Sequence, residues 1–228
     1  MSALVTAARM TWVRLGPRSF GVGAGFAAVL VVVAGLLERR EDVVHAADRT
    51  LVGAVFGIAL PVLGYFVLGR ASDGRRLDVA LDALVRHGAD RRTALLGAVF
   101  SSALTLGVAG ALLASLGVIA ARSAGDPRLL LDLAASAAIG LGAGACYACW
   151  FALGSQIGAR GGGRVWALAL DWLLGTGTTA LAAPWPRAHL RNLLGAQPVL
   201  GMPQWSAPVA LILLALACLA LAVLRAPR

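Results

Sequence analysis

Long stretches of mostly apolar residues alternate with short polar links along this chain of 228 residues. A helix needs about 20 consecutive, mostly apolar residues to cross the roughly 30 Å hydrocarbon core of a bilayer. The pattern therefore predicts an all-α, polytopic membrane protein with one transmembrane domain over residues 1–228. Six membrane-spanning helices are predicted, at about residues 20–37, 51–68, 94–120, 129–154, 165–183 and 208–224.

The longest polar link follows the second predicted span and has a periodicity of its own. Leu77, Leu81, Leu84 and Val85 recur at i, i+4, i+7 and i+8, which is one face of a helix. We therefore predict a short amphipathic helix over about residues 75–87. Two interpretations stay open: a helix whose apolar face lies among lipid headgroups, or a docking element for a cytoplasmic partner.

Composition agrees with a membrane protein, since 59% of the residues are hydrophobic and only 14% are charged. The formal net charge is +9, which in a soluble protein would suggest a nucleic-acid partner. Here the charges lie in the links between apolar blocks instead of on one face. We predict contact with membrane lipids and no nucleic-acid partner.

Orientation follows from the arginines, because basic residues near short spans tend to stay in the cytoplasm. With the N-terminus inside, the inner segments carry thirteen arginines, Arg228 among them, and the outer segments carry seven. Acidic residues such as Asp126 partly cancel the outer set. We expect both termini to be cytoplasmic, in a multi-pass protein of a bacterial inner (plasma) membrane.

One acidic residue, Asp171, lies deep in a predicted span, seven residues after Arg164. A buried charge in a membrane is costly unless it is paired or neutralised, so such a residue is a functional candidate. It could bind substrate or a proton, or it could be satisfied by a neighbouring arginine or hydroxyl. Thr176, Thr178 and Thr179 would extend a polar face further along the same helix.

Pairs of glycines spaced four residues apart recur in the predicted spans. This small-x-x-x-small spacing lets two helix backbones approach closely. We predict close helix packing at three such pairs: Gly21 with Gly25, Gly53 with Gly57, and Gly140 with Gly144.

The link between the last two predicted spans, residues 184–207, is too long for a simple turn and rich in apolar residues. Trp185 and Trp205 suit the aromatic belt at a membrane surface. We predict an interfacial or re-entrant segment on the outer side.

Several kinds of catalytic site are disfavoured. Cys146 and Cys149 form a C-x-x-C inside a span, but a zinc site needs three or four ligands. Asp73, Asp78 and Asp82 could hold the magnesium of a prenyl or phosphatidyl transferase, but neighbouring arginines balance them and no second acidic motif exists. We therefore predict a protein that is not an enzyme and has no metal or cofactor of its own.

The chain also lacks the residue that a P-loop ATPase requires. That motif ends in a lysine that reaches the β- and γ-phosphates, and this sequence contains no lysine. Transport driven by ATP would therefore need an ATPase on another polypeptide.

The loop after the second span carries a resemblance to a known family. A Gly74-Arg75-Arg76 opening, an acidic leucine-rich helix, and the pair Arg91-Arg92 leading into an Ala/Leu/Gly-rich span resemble the ABC-2 type permeases, the transmembrane subunits of ABC exporters. The specific part of the resemblance covers 74–97. It implies a type 2 ABC exporter-like fold with six spans and re-entrant helices before the last span.

The resemblance also implies partners and a site. The helix over 75–87 would be a coupling helix that contacts an ABC ATPase subunit, which would hold the ATP and Mg²⁺, and the permease would form a homo- or heterodimer. A secondary transporter and a non-transporting membrane scaffold are the alternatives, and the sequence does not identify a substrate. Carried over by position, the ATPase-coupling residues are Arg75, Arg76, Asp78, Leu81, Asp82, Leu84, Arg86, Arg91 and Arg92.

Overall fold

The computed structural model describes residues 2–122 and 128–226, and this part of the chain consists of helices joined by short links, with no β-strand. Asp126 and Arg228, which entered the charge count, lie outside the described residues. The helices are α1 (Ala3–Leu15), α2 (Pro17–Glu41), α3 (Ala46–Ala71), α4 (Leu77–Ala80), α5 (Asp82–Arg86), α6 (Arg91–Ala121), α7 (Leu129–Ser155), α8 (Gly163–Leu174), α9 (Pro186–Leu193) and α10 (Ser206–Arg225). Short 3₁₀ turns lie at Ala159–Gly161, Ala180–Ala182 and Val199–Gly201.

Within these described ranges, five helices are long and apolar enough to cross a membrane: α2, α3, α6, α7 and α10. They match the predicted first, second, third, fourth and sixth spans, so the chain has the architecture of a multi-pass membrane protein. Helices α3 and α6 are the most buried and form the centre of the bundle. Helices α2 and α10 are peripheral, with about a fifth of their apolar windows buried.

The predicted fifth span, 165–183, is not one continuous helix. Helix α8 ends at Leu174 after 12 residues, which corresponds to about 18 Å and is too short for the bilayer core. Gly175 follows, and a Cβ at that position would lie 2.9 Å from the Cβ of Arg187. Hydropathy alone could not show this break, because the apolar composition continues past it.

Helix α3 contains a nine-residue π-helical stretch, Leu51–Ala59. π-Helical stretches are rare in proteins. Those that do occur are often found at functional sites. Pro61 follows two residues later, and its missing N–H cannot donate to the carbonyl of Gly57 four residues earlier. An uninterrupted α-helical ladder is therefore impossible at this point of the helix.

Helices α6 and α7 cross closely at several glycines. A Cβ added at Gly110 or at Gly140 would overlap the backbone carbonyl of the other, and one at Gly144 would overlap the carbonyl of Leu106. The predicted close packing at Gly140 and Gly144 is confirmed.

The other two glycine pairs behave differently. Gly21, Gly25 and Gly53 have no neighbouring atom within 4 Å of an added Cβ. A Cβ added at Gly57 would approach the backbone of its own helix and the guanidinium of Arg187. These pairs do not bring two helix backbones together within the chain.

Helix α1 was not predicted. Ala7, Thr11 and Leu15 form its buried face, and a Cβ on Gly97 of α6 would overlap the carbonyl of Leu4. Trp12, outside this face, is exposed. The spacing i, i+4, i+8 of the buried residues is the signal that could have revealed this amphipathic helix.

Candidate functional site

The loop between α3 and α6 (residues 72–90), which the sequence nominates for coupling, is firmly attached to the bundle. Instead of the single helix predicted over 75–87, it forms α4 and α5, with a break at Leu81. Leu77 and Leu81 are both fully buried. Leu77 and Leu81 of the leucine stripe therefore pack on the bundle, while Leu84 is partly buried.

Arginine side chains hold this loop from several directions. Arg14 of α1 donates to the carbonyls of Ala71 (3.1 Å) and Ala80 (3.0 Å). Arg91, at the start of α6, forms an ion pair with Asp82 at 2.7 Å. Both ends of the loop and its middle are therefore fixed by charge-assisted hydrogen bonds.

A further arginine connects the end of α3 to the start of α8. Arg164 is buried, donates to the carbonyl of Leu68 at 2.9 Å and also bonds the hydroxyl of Ser72. The glycine-rich turn before it packs on the loop, since a Cβ on Gly161 would lie 2.6 Å from the carbonyl oxygen of Arg75. A displacement of the loop would therefore reach α8 as well as α3 and α6.

Two of the nominated coupling residues are buried. Asp78 is only 2% exposed, because Arg76 donates to both of its carboxylate oxygens at 3.1 Å. Leu81 is buried in the core. Of the others, Arg75 and Arg86 are exposed, and the partly buried ones are Arg76, Asp82, Leu84, Arg91 and Arg92.

The exposed side of the loop forms a polar hollow of about 260 Å³. Sequence reasoning missed Val79 and Arg14, because their place in the hollow depends on the break at Leu81 and on α1. Its charged groups are three arginines and two aspartates, so the hollow is weakly basic. Its lining includes Arg14, Asp73, Arg75, Val79, Asp82 and Arg86.

Asp90 closes the loop by capping α6. Its carboxylate accepts bonds from the N–H (2.8 Å) and the hydroxyl (2.7 Å) of Thr93. These hydrogen bonds lower the pKa of Asp90 below its ordinary value, because they favour the ionised form.

A second candidate site surrounds Asp171, which is fully buried. The hydroxyl of Tyr147 donates to one carboxylate oxygen at 2.9 Å, and the backbone N–H of Arg187 donates to the other at 3.1 Å. Arg187 lies in the first turn of α9, where backbone amides lack intrahelical partners. Asp171 therefore caps α9 from another helix, and we call this arrangement the Asp171 junction.

The junction extends to the π-helical stretch of α3. Nη2 of Arg187 lies 3.2 Å from the position of an added Cβ on Gly57. Its Nε is buried and has no hydrogen-bond partner among the described residues. A cation is thus packed directly against the irregular part of α3, which the sequence did not indicate.

The three threonines do not belong to the junction. Thr176, Thr178 and Thr179 lie beyond the end of α8 and are exposed. The carbonyl of Thr176 accepts a bond from Arg191, and that of Thr178 accepts one from the N–H of Leu200 at 2.8 Å. The predicted polar face fails because the helix that would have carried it stops at Leu174.

The segment over 184–207 packs against the bundle through α9. His189 and Asn192 are buried, and Asn192 donates to the carbonyl of Met202 at 3.2 Å. Trp185 packs edge-on against Trp150 of α7 with 5.3 Å between ring centroids. Trp205 is 76% exposed, which suits the predicted aromatic belt, whereas Trp185 is a packing residue.

Comparisons of the chain with protein-family models, with curated proteins and with solved structures gave no match. The resemblance to ABC-2 type permeases therefore remains a prediction from residues 74–97.

Proposed function

We propose that this chain is the permease subunit of an ATP-driven exporter of the ABC-2 type, and that a separate ATPase subunit drives it. The observation that carries the proposal is the anchored loop between α3 and α6. It presents a basic, exposed hollow, while its apolar residues hold it on the two central helices. Because the loop is rigidly attached to α3 and α6, a movement of a bound partner would displace these helices together with the loop.

The route of this movement leads to the Asp171 junction. Helix α3 joins the loop to the π-helical stretch, and Arg187 packs on Gly57 within that stretch. The backbone N–H of Arg187 also donates to the carboxylate of Asp171. A shift of α3 would therefore move α9, and we propose that α9 and the residues around it form the outer gate.

The remaining features of the proposal combine the charge distribution and the absence of lysine with the resemblance to ABC-2 type permeases. ATP and Mg²⁺ are held by the ATPase, and both termini lie in the cytoplasm of a bacterium, with the chain in its inner membrane. Helix α8 and the segment up to α10 together make the outward crossing that one continuous fifth helix would otherwise make. Two permease chains, identical or different, pair with two ATPase subunits.

The first test is co-purification of the ATPase from solubilised native membranes. Val79→Asp places a charge in the hollow at an exposed position, and we expect it to reduce the recovered ATPase about tenfold, as for a residue central to an interface. Val44→Asp is the matched control, because Val44 is also exposed and precedes α3 instead of following it. Leu81 is unsuitable for this test, since a charge there would disrupt the core.

The recovered protein must contain a P-loop, and replacing its P-loop lysine must abolish both ATP hydrolysis and export. If no such protein is recovered with the wild-type chain, or if export continues after ATP depletion, the secondary-transporter or scaffold hypothesis replaces the proposal.

Orientation is tested separately with single cysteines at Ala83 and Val44. The native thiols of Cys146, Cys149 and Cys218 are buried, so they should contribute little background labelling. We expect a membrane-impermeant maleimide to label Val44→Cys in intact cells and Ala83→Cys only after the membrane is opened. The reverse pattern would contradict a cytoplasmic loop.

A further inference from the structure

A groove between the start of α2 and the end of α3 combines an apolar wall with an exposed arginine, Arg70. It has a volume of about 260 Å³. Leu63 and Val67 are buried on its α3 side, while Val22 and Phe66 are 75% and 58% exposed. The groove therefore opens toward the surface that a membrane would cover.

Arg70 supplies the charge at one end of this groove. Its side chain is exposed and forms no hydrogen bond or ion pair with any described residue. Helix α2 begins at the same end, so its N-terminal dipole adds positive potential there. A guanidinium without a protein partner, next to an apolar surface, is suited to a phosphate that carries an acyl chain.

Two larger apolar hollows on the same bundle provide an internal comparison. One lies between α2 and α6 (about 520 Å³), and the other between α7 and α10 (about 430 Å³). Neither has a charged residue in its lining. These two hollows can hold hydrocarbon, but they contain nothing that would select a headgroup.

We propose that the groove of Leu63, Val67 and Arg70 binds an anionic phospholipid, with the phosphate on Arg70 and one acyl chain against α2 and α3. The site does not depend on the proposed ATPase partner. The proposed orientation places it in the cytoplasmic leaflet, where anionic lipids attract basic residues. The lipid would bridge α1, α2 and α3, next to the loop between α3 and α6.

The test measures binding of phosphatidylglycerol and phosphatidylcholine to the purified, delipidated full chain by native mass spectrometry. We expect the wild type to prefer phosphatidylglycerol and Arg70→Gln to bind it about tenfold more weakly, because a charge-assisted hydrogen bond is lost. Arg70→Lys should retain part of the preference. Arg225→Gln is the control, since Arg225 is an exposed arginine at the end of α10 and lies outside the groove.

A second pair of variants tests the acyl-chain part of the groove. Gly23 lies in its lining, and an added Cβ would make only an ordinary contact of 3.7 Å with Leu63. Gly23→Phe should therefore fill the groove and weaken phosphatidylglycerol binding, while Gly21→Phe, at an open position outside the lining, should not.

Three results would overturn the proposal: equal binding of the two lipids by the wild type, unchanged binding in Arg70→Gln, or unchanged binding in Gly23→Phe. Soluble glycerol phosphate separates a lipid site from a simple anion site. If it competes as well as the lipid does, the apolar wall plays no part and the proposal fails. Circular dichroism confirms that each variant is folded before binding is measured.

Discussion

Two buried carboxylates, in different regions of the molecule, are stabilised in different ways. Asp78 in the loop between α3 and α6 is paired with the guanidinium of Arg76, two residues away. Asp171 in the bundle accepts its bonds from Tyr147, 24 residues earlier, and from the backbone of Arg187, 16 residues later. The first pair is local and charged, whereas the second set is distant and uses a hydroxyl and an amide.

The difference shows what each carboxylate controls. The pair of Asp78 and Arg76 shapes one turn of a loop that is also held by other arginines. The Asp171 junction joins α7, α8 and α9, so its loss would affect the packing of three helices. We therefore expect global stability to depend on Asp171 and local order to depend on Asp78.

The largest effect is expected from Asp171→Leu. It keeps a similar volume but leaves the hydroxyl of Tyr147 and the amide of Arg187 without an acceptor, so stability should fall by about 3 kcal/mol. Thermal unfolding in detergent, followed by circular dichroism, measures the loss. Asp171→Asn retains an acceptor for the amide and should lose less. Equal losses for the two variants would mean that the charge, and not the hydrogen bonds, matters.

Tyr147→Phe should have the next largest effect, about 2 kcal/mol, since a hydrogen bond to a buried carboxylate is lost. The ring itself stays stacked on Phe151, with 6.0 Å between ring centroids, so the change isolates the hydroxyl. Combined with Asp171→Leu, it should add little further loss, because both changes remove the same bond. Full additivity of the two losses would contradict the junction.

Asp78→Leu should cost about 1 kcal/mol, because the side chain of Arg76 is 36% exposed and can turn toward water. Its effect should be local. Hydrogen exchange should become faster in α4 and α5 and stay unchanged in α9. Faster exchange in α9 as well would show that the loop and the junction are not independent in stability.

Asp90 is an exposed carboxylate, unlike Asp78 and Asp171. Asp90→Ala should therefore have the smallest effect on stability. Hydrogen bonds from Thr93 lower the pKa of Asp90 below the ordinary 3.8. Its stabilising contribution is therefore complete above about pH 4 and is lost as the pH falls through the lowered pKa. At neutral pH the amide of Thr93 should exchange faster in Asp90→Ala than in the wild type. At low pH the two exchange rates should be equal.

Prediction from the sequence succeeded where the composition and length of a single segment decide its structure. Five apolar runs form long helices, because length and composition alone decide whether a helix can cross a bilayer. Prediction failed at 165–183, where Gly175 and Gly177 interrupt a run that hydropathy reads as continuous. It also failed at Leu81, because a heptad-like spacing does not show where a short helix breaks.

The sequence by itself determined the long apolar helices, the arginine-rich loop between two of them, the absence of a P-loop lysine and the presence of one acidic residue in an apolar run. Only the tertiary structure decided that Leu81 and Asp78 are buried, that Arg70 has no partner among the described residues, and that Asp171 caps α9. The physical reason is that hydropathy and periodicity are properties of neighbouring residues. The partner of a buried charge is chosen by segments far apart in the chain, which meet only when the helices pack.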